Sequence, residues 1–190
     1  MLLQEWPKIR KLVANAHLKI FYRFLPWYSD AKLHWAHPHP HLRELSHRAI
    51  YIHEMARKLE GSGVQIVDSV SRKVMAQELS QAEVLAYPCD TIAYTEGFSC
   101  TTLEACAARA LPVISAADSL GGIYGSCVPM VPAPARDHMD NFRQKVIRAL
   151  ADKEWRQETA EQCAVFAQDF AYPKLAERLE SLLLEGKKHK

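Results

Sequence analysis

Two carboxylates, Glu96 and Glu104, stand eight positions apart, with Gly97, Phe98, Ser99, Cys100, Thr101, Thr102 and Leu103 between them. Ionised carboxylates accept hydrogen bonds, so such a pair suits hydroxyl groups at the two ends of one ligand. The residues between them suit an anion. Gly97 lets backbone come close to a ligand. Ser99 is a helix N-cap type, and the amides of Cys100, Thr101 and Thr102 would open that helix without intrahelical partners. Glu104 falls over a turn further along, too deep to serve the same anion. The set fits a molecule with phosphate in its middle and hydroxyls at both ends, which is the shape of a nucleotide-sugar.

These residues need a scaffold. A short apolar run, Val84-Leu85-Ala86-Tyr87-Pro88, leads into them, and Leu111-Pro112-Val113-Ile114-Ser115 follows. Both read as buried strands with a helix over 100–109 between them. Further strands are predicted over 18–22, 63–68 and 128–132. Helices are predicted over 2–14 (with Pro7 in its first turns), 42–59, 72–80 (capped by Ser71), 117–120, 137–151, 153–169 and 173–184. The helix over 42–59 would bury Leu42, Leu45, Ala49, Ile52, Ala56 and Leu59, and residues 23–41 read as a long connection rich in aromatics and proline. Strands alternating with helices predict an α/β fold: a Rossmann-like, doubly wound parallel sheet whose ligands sit at the strands' C-terminal ends. The loop carrying Glu96 follows such an end.

Composition narrows the function classes. The 190 residues are 48% hydrophobic and 24% charged, ordinary for one globular domain. A net charge of +2 gives no electrostatic case for nucleic acid, and the clear basic cluster, Lys187-Lys188-His189-Lys190, reads as a solvated terminus. No apolar run approaches the ~20 residues of a membrane span. The five cysteines (Cys89, Cys100, Cys106, Cys127 and Cys163) are odd in number and lack a CxxC pair, which argues against a disulfide framework or a zinc site. The cytoplasm fits that usage, with a peripheral membrane role left open. His34, His37, His39 and His41 fall within eight residues, and His37, His39 and His41 would lie on alternating positions of an extended segment, but Pro38 and Pro40 stiffen it and no Cys or carboxylate lies close within it, so no metal site is expected.

The pattern Glu-x7-Glu within EGFSCTTLEACAARALPVIS resembles the signature of retaining GT-B glycosyltransferases of the group 1, or family 4, class. Supporting stretches are Ala16-His17-Leu18-Lys19-Ile20-Phe21-Tyr22, Val70-Ser71-Arg72 and Gln81-Ala82-Glu83-Val84. The resemblance spans nearly the whole chain and implies the C-terminal, donor-binding half of such an enzyme. It implies a single domain over 1–190, truncated at its N-terminus and lacking the first strand, with 173–190 forming a terminal helix and basic tail. Glu104 would then hold the ribose of the donor and Glu96 would face its sugar as the catalytic carboxylate. Gly97, Phe98, Ser99, Cys100, Thr101 and Thr102 would complete donor binding, through backbone amides to sugar and diphosphate or threonine hydroxyls to phosphate. The Phe98 side chain itself reads as a core anchor. No cofactor or metal is implied, since the nucleoside-diphosphate sugar is a co-substrate. The implied partners are that donor and either a separate acceptor-binding domain or a second copy of the chain.

Departures from the pattern matter as well. The acceptor domain and the cationic loop that neutralises the diphosphate have no counterpart here, so the chain alone is expected to be inactive. Arg109 stands where relatives commonly carry a Gly of positive φ, and Arg23 likewise follows a strand where Gly is usual. Either arginine would reach the ligand cleft or reflect relaxed constraint. The alternatives to a glycosyltransferase donor domain are a non-catalytic nucleotide-binding or partner-docking module, a degenerate remnant, or another GT-B relative such as a nucleotide-sugar epimerase.

Overall fold

The computed structural model describes residues 1–22, 24–90 and 97–188. The chain forms two compact units, Met1–Met75 and Ala76–Lys190. Both are α/β, with strands paired in parallel and helices between them.

In the first unit, α1 (Leu2–Leu12) buries Leu3, Trp6 and Ile9. The Trp6 indole donates to the carbonyl of Ser62 at 2.9 Å. Strands β1 (Leu18–Phe21) and β2 (Val64–Val67) pair with Leu18 opposite Val64. Part of the expected connection is instead helix α2 (Phe24–Leu33). Pro26 falls in its first turn, where a missing N–H breaks no helical bond. The reason for this helix is tertiary. Ala31, with Tyr28 beside it, packs on Ala49 and Ile50 of α3 (Pro40–Lys58).

The buried face of α3 also differs from the expected stripe. It consists of Ser46, Ala49, Ile50, His53 and Ala56, while Leu42, Leu45 and Ile52 are exposed. Two polar residues displace those apolar ones because each finds company inside. Ser46 donates its hydroxyl to the Leu42 carbonyl at 2.8 Å, and the His53 ring stacks on Tyr28 at 4.1 Å. The histidine segment is not extended throughout. His34 lies in the turn after α2, His39 is the N-cap of α3 and His41 is inside that helix, so the alternation breaks. A 3-10 turn and Gly63 (φ 82°) then lead into β2, and a Cβ at Gly63 would stand 3.1 Å from the Ala16 carbonyl.

Helix α4 (Arg72–Gln81), whose start Ser71 caps by accepting from the Val74 amide, leads into the second unit. There β3 (Val84–Tyr87), β4 (Leu111–Ala116) and β5 (Met130–Pro132) form a sheet in that order. β4 is central, and Leu111 to Ser115 are all buried, as a strand covered on both faces requires. Helix α5 (Cys100–Ala107) stops two residues short of the expectation because Arg109 takes φ 61°. Helix α6 (Leu120–Tyr124) begins where the predicted 117–120 helix would have ended. After it come α7 (Met139–Ala151), α8 (Lys153–Gln168) and α9 (Tyr172–Lys188).

Tyr124, Phe142, Leu111, Ile114, Leu120 and Cys163 are among the fully buried side chains of this unit. Arg156 of α8 is buried too. It donates to the Ala149 carbonyl at 2.7 Å and to Glu83 at 2.5 Å, tying the end of α7 to the approach to β3. Among the described residues no helix is long and apolar enough to cross a membrane.

Candidate functional site

The N-terminus of α5 is the centre of the predicted site. Since β3 and β4 are parallel and α5 crosses between them, this helix begins at the C-terminal end of the sheet. Ser99 caps it with extended backbone, φ −82° and ψ 97°. Its hydroxyl oxygen accepts from the Thr102 amide at 3.3 Å and from the Thr102 hydroxyl at 3.0 Å. Its carbonyl accepts the first helical bond, from Leu103. The amides of Cys100 and Thr101 therefore precede the first intrahelical bond, at the positive end of the helix.

Exposure sorts the predicted residues into two groups. Gly97, Cys100 and Thr101 are exposed, and a Cβ at Gly97 would meet nothing within 4 Å. Ser99 and Thr102 are buried, their side chains engaged with each other. Glu104 is half-buried on the second turn of α5. Phe98 is 39% exposed and its ring lies 6.0 Å from Tyr124 and 5.5 Å from Phe170, at the margin of an aromatic cluster. Glu96 lies outside the described residues, as does Arg23.

Supporting contacts come from residues that the motif did not single out. Tyr124, fully buried on α6, donates its phenol hydroxyl to the Ser99 carbonyl at 2.9 Å. Ser115 of β4 accepts from the Cys89 amide and donates to the Cys89 carbonyl, both at 2.7 Å. That reciprocal pair fixes the backbone leaving β3. One signal for Ser115 was present in the sequence: a lone hydroxyl in an apolar strand must find a partner. Asp90 accepts from the Arg136 amide at 3.2 Å and pairs with its guanidinium at 3.4 Å, linking the segments after β3 and β5. An open depression of about 420 Å³ beside it is lined by Arg136, Asp137, His138, Met139, Asp140 and Asn141, and by none of the predicted donor residues. Asp118, just beyond β4, has φ 50°, an uncommon conformation for a residue with a side chain.

Arg109 does adopt the left-handed backbone that its position suggested. Its side chain forms a two-pronged pair with Glu161 of α8, at 2.6 and 3.0 Å. The guanidinium holds the Glu161 carboxyl below its ordinary range. Among the cysteines, Cys106 and Cys163 are buried in the core. A hydrogen bond with Cys106 together with burial pushes the Cys163 thiol far above the usual range, which disfavours its thiolate. Among the described residues, no three His, Cys, Asp or Glu side chains are grouped to hold a metal ion.

No family model matches the chain, and no curated protein matches it in sequence. Its structure is similar to that of sucrose-phosphate synthase from Thermosynechococcus elongatus, with a TM-score of 0.58 and 18% sequence identity. The match covers 97% of this chain and 49% of the synthase, so the chain spans about half the length of that structure. The fold is accordingly like that of half of this synthase.

Proposed function

We propose that the chain is the donor-binding half of a retaining glycosyltransferase of the GT-B type, related to the group 1 class. One observation carries the reading. A Ser99-capped helix begins at the C-terminal end of a parallel sheet, with exposed amide positions at its start and the half-buried Glu104 one turn on. The amides of Cys100 and Thr101 bind the donor diphosphate, helped by the positive end of α5. Gly97 and Phe98 lend backbone to the sugar, and the Ser99 and Thr102 pair holds the cap in shape. Glu104 accepts from the ribose hydroxyls, and Glu96 orients the transferred sugar.

Transfer itself needs more than this. A diphosphate leaving group requires cations aimed at its developing charge. The arginine described at this end of the sheet, Arg136, is paired with Asp90. The chain is therefore proposed to bind donor without turning it over, with acceptor recognition supplied by a second domain. A chain that binds nucleotide with no transfer partner at all is the second reading. The likeness to half of a sucrose-phosphate synthase supports the first, because that enzyme's other half is of comparable length. A cytoplasmic location accompanies both readings.

Isothermal titration with UDP, GDP and their sugars, on the wild type and Glu104→Ala, tests the proposal. Binding of at least one diphosphate, weakened tenfold or more by the substitution, supports the donor site. A wild type that binds none of them overturns it. Binding of equal strength in both proteins removes Glu104 from the site.

A further inference from the structure

Helix α9 runs for 17 residues, and every position from Tyr172 to Glu185 is exposed. Its apolar residues are not scattered. Tyr172, Leu175, Leu179 and Leu182 follow one another at intervals of three, four and three, the spacing of the seam of a coiled coil. Leu183 widens that seam on one side. Tyr172 is 90% exposed, Leu179 59% and Leu182 65%, so the stripe faces solvent in the single chain.

The charges beside the stripe say what covers it. Arg178 precedes the seam residue Leu179, and Glu185 follows the seam residue Leu182 by three. Both occupy the flank opposite Leu183. In an antiparallel pair of such helices, with Leu179 packed against the second copy's Leu182, this flank meets its own counterpart. Arg178 then faces the second copy's Glu185, and symmetry repeats the pair. On the other flank Leu183 covers the second copy's Ala176. A parallel pair would instead set Arg178 over Leu183, leaving the charge without a carboxylate from the second copy. An anionic lipid surface fits less well, because Glu177, Glu180 and Glu185 nearly offset Lys174, Arg178, Lys187 and Lys188 along the helix.

We infer that α9 is a self-association surface and that two copies of the chain pair through it, antiparallel. The opposed helix dipoles favour the same orientation. A helix of this length is about 25 Å long, and contacts below about 1,200 Å² belong to weak, reversible assemblies. The dimer should therefore dissociate on dilution.

Sedimentation velocity of the full chain across a hundredfold concentration range tests this, with circular dichroism confirming that each variant is folded. The wild type is expected to pass from monomer to dimer, and Leu179→Asp to remain monomeric. Arg178→Glu and Glu185→Arg should each weaken the dimer at least fivefold. The double exchange Arg178→Glu with Glu185→Arg should restore it, since the pair is rebuilt with its signs reversed. Failure of that rescue overturns the antiparallel pairing. A chain monomeric throughout overturns the inference altogether. So does a monomer that cosediments with phosphatidylglycerol vesicles in a Leu179-dependent way, which would make lipid the occupant.

Discussion

The Tyr124 hydroxyl donates to the carbonyl of Ser99 at 2.9 Å, across 25 positions of sequence, so the end of α6 holds the cap of α5. Both residues are buried. Ser99 thus has its hydroxyl committed to Thr102 and its carbonyl shared between Tyr124 and Leu103. A cap held from both sides keeps the first amides of α5 in one direction, as a preorganised anion site requires.

Tyr124→Phe removes that donor and nothing else in size. It should cost about 1 kcal/mol of stability, the usual worth of a buried neutral hydrogen bond. Urea unfolding measures the loss. If the cap is part of the donor site, UDP or GDP affinity also falls, whereas unchanged affinity would confine Tyr124 to stability.

Ser115→Ala has a larger expected cost. It strips the Ser115 oxygen from the Cys89 amide, which cannot turn to water where Cys89 is buried, and leaves the Cys89 carbonyl with the Ala135 amide, at 3.2 Å. Unsatisfied buried groups cost about 1–3 kcal/mol each. The loss should exceed that of Tyr124→Phe in the same urea experiment. An equal or smaller loss would mean that the strand end rearranges to recover its bonds.

Arg109 permits a test of backbone strain. Its φ of 61° disfavours any residue with a Cβ, while its ion pair with Glu161 lies in solvent and is weak. Arg109→Ala keeps the strain and loses the pair, and Arg109→Gly relieves the strain. Urea midpoints should therefore rank Gly above Ala at this position. The reverse order would show that the chain is not left-handed there in solution.

His53 should make the first unit sensitive to acid. Its ring is buried against Tyr28, and desolvation, with help from Arg57, lowers its pKa from the ordinary 6.5. The other charged groups around it are Glu54, Glu60 and Lys32. Above about pH 6.5 both folded and unfolded chains carry neutral His53, and stability is complete. Below that value the unfolded chain takes a proton that the folded one resists, so stability falls with pH. Unfolding measured between pH 7.5 and pH 5.5 should show the decline. His53→Phe should flatten it, and an unchanged slope would assign the decline to other groups.

Much of the second unit was legible from local pattern. The strands near 84–88 and 111–115 and the Ser99 cap depend on residues close in sequence, since a cap is a bond across three positions and a strand a short apolar run, although β3 is half-buried where burial was expected and only β4 is buried. The positive φ of Arg109 was legible through the resemblance, in which this position between helix and strand is commonly Gly. The first unit was less legible. Periodicity favoured Leu42, Leu45 and Ile52 as the inner face of α3, and it passed over α2.

By itself, then, the sequence determined the alternation of elements, the capped helix and the carboxylate spacing, because each is encoded by neighbours along the chain. Only the tertiary structure decided that Tyr124 holds the Ser99 cap and that Ser115 holds the backbone leaving β3. It also set the inward face of α3, where Ser46 is satisfied by the Leu42 carbonyl of its own helix and His53 is buried against distant Tyr28, and left the seam of α9 in solvent. Those outcomes depend on which surfaces meet, and hydrophobic pattern alone does not specify that when the compensating partner lies dozens of residues away or in another molecule.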